Sequence, residues 1–195
     1  GISIISKERL LDELKKLLIS KNFIKLQKDN ISKEIITTIF PQIINLNLFK
    51  NLNKYSKTLL KDKDFIFILS LLIIDDTDNS NYFLYKFNLS NDDKKRIIFL
   101  KKMNTNAPFK EKFSKKNLNQ ILYFYGKFYL IDMIDFHLLK SNKINKKLVE
   151  IKKYYQSKEK PLFPLKANDL MHKYNLKEGI LLGSKLKELE KLWIK

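Results

Sequence analysis

Apolar residues recur three and four positions apart along most of the chain, the spacing that gives a helix one apolar face. Leu10, Leu11, Leu14, Leu17 and Leu18 form the first such stripe. Ser6 precedes it as an N-cap, Glu8 stands in its first turn, and Lys15 and Lys16 lie near its end. That order of charge suits the helix dipole. A short helix is predicted over residues 23–29 and another over 33–40, which stops at Pro41. Residues 65–74 are apolar on every side except at Ser70 and predict a buried helix. Ser90 opens a further helix, with Asp92 and Asp93 in its first turn and the run 97–100 behind them. Ser114 opens the next, and Gly126 interrupts it before 129–139. Helices are expected over 144–155, 169–174 and 181–194, with Pro161 and Pro164 bracketing a linker.

Four Gly and four Pro in 195 residues leave little turn chemistry for a sheet. The predicted class is therefore all-α, two helical subdomains forming an elongated helical array. The stretch Asn104-Thr-Asn-Ala-Pro108 is the boundary signal, so the domains are expected at 1–106 and 107–195. The longest near-apolar run, 65–74, is half of the roughly 20 residues that a membrane-spanning helix needs. Residues 1–10 carry charges where a signal peptide has its apolar stretch. Ile5 stands where myristoylation asks for Ser or Thr. The expectation is a cytoplasmic protein with no membrane partner. Gly1 in place of Met points to a trimmed chain or a piece of a longer one.

Charge changes this picture more than length does. The chain carries 39 Lys+Arg against 21 Asp+Glu, a formal net charge of +18. Of these cations 37 are Lys and only 2 are Arg, so a codon-biased genome explains part of the excess. The uneven distribution argues for a polyanion surface. Residues 1–100 hold 17 basic and 12 acidic residues, and residues 101–195 hold 22 and 9. Lysines acting as point charges suit backbone and shape recognition, not base readout.

Candidate chemistry is sparse. No cysteine is present, which removes disulfides, thiolate zinc sites and cysteine nucleophiles. Two histidines, His137 and His172, cannot make a histidine-rich metal site. Asp62/Asp64 and Asp76/Asp78 have the spacing of two-metal phosphoryl-transfer pairs. No phosphate-holding glycine loop precedes either pair, so they read as solvated loop acids. His137, near Asp132 and Asp135, reads as a partly buried structural histidine. No nucleophile elbow, P-loop or dinucleotide fingerprint occurs. The expectation is no catalytic residue and no metal ligand in this chain.

The C-terminal stretch is more specific. Asp169 can cap a short helix, Asn175 can close it in a left-handed conformation, and Gly179 can turn the chain into a second helix. Gly183 either lets that helix pack against a backbone or lets a phosphate approach it. Lys177 and Lys185 flank the second helix's N-terminus, where free N–H groups favour anions.

Two stretches, in order, resemble the C-terminal portion of bacterial class II tRNA nucleotidyltransferases, the CCA-adding enzymes, and their poly(A) polymerase relatives. Ser6-Lys-Glu8-Arg9-Leu-Leu-Asp-Glu13-Leu14 is similar to the family's neck pattern Ser-x-Glu-Arg-Ile-x-x-Glu-Leu, and Pro41 fits the proline that follows it. Asp169, Leu170, Met171, Leu176, Gly179 and Gly183 match the family's terminal Asp-Leu-Met…Gly…Gly hairpin, with Ala167, Asn175 and Glu178 standing where the family has Gly, Gly and Pro. The resemblance covers nearly the whole chain. It implies an RNA-binding, tRNA-gripping portion of a nucleotidyltransferase that lacks its catalytic head. Magnesium and CTP or ATP would bind that head, so no cofactor is expected here. Partners are then tRNA or other RNA and a catalytic head, on the same gene product or a separate chain.

Glu8, Arg9 and Glu13 would brace the neck, Arg9 pairing with Glu13 at i,i+4. Lys143, Lys146, Lys147, Lys152, Lys153, Lys177 and Lys185 are the expected phosphate contacts. The alternative is a standalone, non-catalytic helical RNA-binding or interaction protein, or a split-gene remnant.

Overall fold

Six of the helix starts have a side chain that takes up N–H groups a helix leaves unbonded. A computed structural model describes residues 5–20, 23–104, 107–141, 143–174 and 177–194. Ser6 Oγ accepts from the Arg9 N–H at 3.3 Å and opens α1, Lys7–Ile19. The Asp29 carboxylate accepts from the N–H groups of Ile31 and Ser32 and opens α2, Asn30–Ile39. Asn53 caps α3, Lys54–Lys61, and Asp64 caps α4, Phe65–Ile73. The next helices are α5, Asn79–Lys86, and α6, Asn91–Met103, the latter capped by Ser90. A single turn, α7 (Phe109–Lys112), precedes α8, Lys115–Tyr125, capped by Ser114. Helix α9 spans Lys127–Lys140 and α10 spans Lys146–Ser157. The hairpin helices are α11, Ala167–Tyr174, and α12, Ile180–Trp193. Phe23–Lys28 and Leu46–Phe49 are 3-10 turns. Among the described residues there is no strand, and the class is all-α.

The chain divides into two compact units. The first is Gly1–Asn106 with Ile131–Lys153, and the second is Ala107–Leu130 with Tyr154–Lys195. The expected second domain, 107–195, is therefore not one continuous piece. Residues 131–153 go with the first unit because Met133, Ile134, Phe136, Leu138 and Leu139 are buried there. Phe136 meets Phe67 of α4 edge to face, with ring centroids 6.4 Å apart. Thr105 and Asn106, at the expected boundary, lie outside the described residues.

Helix α4 is the axis of the first unit. All nine of its residues are buried, and α1, α5 and α6 pack against it. Each fully buried aliphatic or aromatic side chain contributes roughly 1.5–3 kcal/mol, before the entropy of ordering is subtracted. Its lone hydroxyl is satisfied locally, Ser70 Oγ donating to the Ile66 carbonyl at 2.7 Å. The carbonyls at its C-terminal end are taken by neighbours. The N–H groups of Ile44 and Asn45 donate to Leu72 O at 3.2 and 3.1 Å, and Asn79 Nδ2 donates to Ile73 O at 2.9 Å.

In the second unit, aromatic rings take the place of a long apolar helix. Trp193 of α12 meets Tyr123 at 5.7 Å and Phe163 at 5.6 Å between ring centroids. The Tyr123 hydroxyl donates to Glu190 Oε1 at 3.0 Å. Tyr155 is buried and donates to Asn119 Oδ1 at 3.0 Å. Burial pushes the Tyr155 phenol up to about 12, with a smaller push from Tyr154. Gly126 ends α8 with φ at 87° and ψ at 171°, a conformation that side chains with a Cβ avoid.

Candidate functional site

The densest constellation of charge in the first unit is built around two buried carboxylates. Asp132 and Asp135 lie one turn apart on α9, and their side chains are 4% and 2% exposed. Lys63 Nζ lies 3.3 Å from Asp132 Oδ1 and 2.7 Å from Asp135 Oδ2. Arg96 of α6 donates from Nε to Asp132 Oδ2 and from Nη1 to Asp64 Oδ2, each at 2.6 Å. Lys152 of α10 brings Nζ to 2.7 Å from Asp135 Oδ1, off the hydrogen-bonding direction of that oxygen. The contact is therefore ionic and not a directed hydrogen bond. Three cations meet three carboxylates, and the cluster is neutral.

Pairing is what lets these charges leave water, since a lone buried charge is costly. Burial alone would raise the Asp64 carboxyl. The Arg96 hydrogen bond, the Phe67 N–H and the charges of Arg96 and Lys63 outweigh burial and hold it below the usual carboxylate range. Burial likewise opposes the Arg96 charge, and Asp132 and Asp64 more than restore it. Each carboxylate of the cluster is neutralised by a cation of the same chain, so the cluster joins α4, α6, α9 and α10 and has no spare group for acid–base work.

The two Asp-x-Asp pairs do not assemble into a metal site. Asp64 faces Arg96, Asp62 is exposed, Asp78 lies 3.4 Å from Lys101, and Asp76 is exposed. Asp64 is thus a half-exposed acid that also caps a helix and pairs with Arg96, and not only the solvated loop acid expected of it. Among the described residues no group of three or more His, Asp or Glu side chains could hold a metal ion. The donors present among the described residues do not fit the magnesium that a nucleotidyltransferase head would hold. His137 is half-buried with Nδ1 2.9 Å from Met133 O, within its own helix. His172 is exposed.

The lysines expected to contact phosphate fall into three groups. Lys143, Lys146, Lys147 and Lys153 are exposed in the first unit. Lys177 and Lys185 are exposed in the second, Lys185 lying 3.2 Å from Glu188. Lys152 is the exception. Its side chain is 12% exposed and points at Asp135, so it is no phosphate contact. Period explains the difference, because Lys152 shares an inward face with the buried Leu148 four residues earlier. The second unit holds 14 Lys against 6 Asp+Glu among 66 residues, while the first holds 25 basic and 15 acidic residues among 129. Per residue, the second unit carries the higher net charge. It also exposes rings among its lysines, Tyr154, Tyr174 and Phe128 being 53%, 61% and 57% exposed.

The motif residues behave unevenly. Glu8 and Arg9 are exposed on α1. Glu13 is paired with Lys16 at 2.8 Å, three residues on, and not with Arg9 as expected. Asp169 sits in the first turn of α11 and reaches back to the Lys166 N–H at 3.0 Å. It closes the helix start from inside, in place of capping it from outside. Gly179 starts α12 with φ at 152°. A Cβ at Gly183 would meet no atom within 4 Å, so Gly183 is not there for close packing against a described part of this chain. Asn175 and Leu176 lie outside the described residues.

Sequence reasoning missed Arg96, Lys63 and the inward role of Lys152. One signal was available, because Arg96 is one of two arginines in a lysine-rich chain, and Arg suits buried, bidentate pairing better than Lys. The hairpin also forms an apolar groove of about 590 Å³ between α11 and α12, walled by Leu170, Leu181, Leu189 and Leu192. Its rim charges balance, Asp169 and Glu188 against Lys173 and Lys185.

The described residues include no helix long and apolar enough to cross a membrane. The chain matches no protein-family model, and no curated protein or solved structure is significantly similar to it.

Proposed function

We propose that this chain is the RNA-binding, neck-to-tail portion of a CCA-adding tRNA nucleotidyltransferase or poly(A) polymerase, without the catalytic head. The observation that carries the RNA-binding part is the second unit's excess of 14 Lys over 6 acids, spread over exposed helical faces with exposed rings among them. Phosphate neutralisation by lysine releases condensed counterions, and exposed rings offer stacking surfaces for unpaired bases. The ordered neck and hairpin motifs support the family part of the reading.

Lys143, Lys146, Lys147, Lys153, Lys177 and Lys185 are the proposed phosphate contacts. Such contacts fix position on the RNA and carry no base information. The chain would hold tRNA by shape while a head, in the cytoplasm of the cell, adds nucleotides with its own magnesium. The experiment is to add a separately expressed head domain to this chain and to tRNA lacking its 3′ end. Incorporation of CTP and ATP that depends on this chain is the expected result. RNA binding without incorporation would instead leave a standalone RNA-binding module, a reading favoured by the neutralised state of the Asp132 and Asp135 carboxylates.

A further inference from the structure

We propose that a cavity in the first unit binds a small amphipathic anion, with an aliphatic or aromatic body and a carboxylate or phosphate head. The cavity measures about 230 Å³ and lies between the end of α1, the 3-10 turn Phe23–Lys28, and α3 with the start of α4. Leu18, Phe23, Leu60 and Ile68 form an apolar floor, and each is buried. Its charged lining consists of Lys57, Lys61 and Lys63, with no acid.

The three lysines are not equivalent. Lys63 is committed to Asp132 and Asp135, so its stem lines the cavity while its charge is satisfied elsewhere. Lys57 and Lys61 are exposed, one helical turn apart on α3, and no acid of the described chain pairs with either. Like charges at that spacing repel each other. Lys61 has a local reason to be there, since a cation in the last turn complements the helix dipole. Lys57 has none. An anion held between the two ammonium groups relieves the repulsion, and an apolar body on the same molecule packs against the buried floor. The volume is below the ~300–1,000 Å³ of a drug-sized ligand pocket, which selects a medium-length alkyl chain or a single ring. The balanced rim of the larger α11–α12 groove offers no such selection. This inference is independent of the RNA reading, because none of the proposed phosphate contacts lines the cavity.

The test uses the full chain with isotope-labelled isoleucine methyl groups, titrated with decanoate, decyl phosphate, decanol and acetate. Decanoate or decyl phosphate should shift the methyl signals of Ile19, Ile24 and Ile68 saturably, and the tighter of the two identifies the head group. Decanol and acetate should bind at least tenfold more weakly. K57Q/K61Q should weaken the anion at least tenfold while leaving the helical circular dichroism and the remaining isoleucine signals unchanged. If the double glutamine variant fails to fold, K57Q alone carries the same expectation. Equal binding of decanol and decanoate, shifts confined to other isoleucines, or no saturable shift would each overturn the proposal.

Discussion

Lys152 Nζ lies 2.7 Å from Asp135 Oδ1, across the α9–α10 contact of the first unit, with both side chains nearly closed to solvent. A lysine in the middle of a basic helix is thereby a core residue. Asp135→Asn would leave Lys152 and Lys63 buried against a neutral amide. Breaking a buried pair from one side costs about 3–5 kcal/mol, a large part of the ~5–15 kcal/mol that a domain has. Urea unfolding should show the loss as a lower midpoint with an unchanged slope. Lys153→Gln, the exposed neighbour, should leave the unfolding free energy within about 0.5 kcal/mol of the parent's.

Acid should weaken the fold through Asp64. Burial would raise its folded pKa, but the Arg96 hydrogen bond and charge, the Phe67 N–H and the Lys63 charge together hold it below the ordinary value. A depressed carboxylate contributes stability above its unfolded value, near pH 4, and that contribution is lost as pH falls through the folded value. Asp64→Asn should therefore be less stable than the parent at pH 6 and nearer to it at pH 2. The check is thermal unfolding at both pH values.

Alkali should act through Tyr155, whose pKa is pushed up to about 12. Between roughly pH 10 and pH 12 the unfolded chain has lost that proton and the folded chain keeps it. Stability contributed by the neutral phenol falls across that window. Tyr155→Phe forfeits the hydrogen bond to Asn119, worth about 1 kcal/mol near neutral pH. Its deficit should shrink as the parent is taken from pH 10 to 12. Ultraviolet titration should show a tyrosine ionising near pH 12 that is lost in the variant.

Glycines 179 and 183 should respond oppositely to alanine. Gly179 has φ at 152° and ψ at −172°, a region with a cost of about 1–3 kcal/mol for residues with a Cβ. Gly183 lies inside α12 with open space where a Cβ would stand. Gly183→Ala should raise stability by about 0.5–1 kcal/mol through helix propensity. Denaturant midpoints of the two variants give the comparison.

Much of the helix order was legible, because starts and stops are local chemistry. Ser6, Ser90 and Ser114 cap where the sequence places them, and the apolar run 65–74 is the buried helix α4, Phe65–Ile73. Helices α3 and α5 escaped the reading. Asn79–Lys86 carries little periodic signal, and Lys54–Lys61, though amphipathic, spans only about two turns, so packing supplies what so short a segment lacks. The buried cluster was illegible for a different reason. Asp64, Arg96, Asp132 and Lys152 lie on four separate elements, and only the fold brings them within bonding distance. The same limit applied to the domain division, which follows where residues 131–153 pack and not where the loops fall.

The phosphate contacts separate by charge reversal. Lys146→Glu with Lys153→Glu changes exposed residues of α10 only. It should weaken tRNA binding by a similar factor for every tRNA tested and reduce the magnitude of the salt slope by about 2. Lys177→Glu with Lys185→Glu should do the same from the second unit. Gel-shift titrations at several salt concentrations read both.

The central claim is that the basic faces grip tRNA. Its most direct test is the affinity of this chain alone for tRNA, titrated with salt, against an unrelated RNA hairpin of equal length. Six phosphate contacts predict a log–log slope of about −5 and tighter binding to tRNA than to the hairpin. Equal, weak binding to both with a shallow slope would contradict the account.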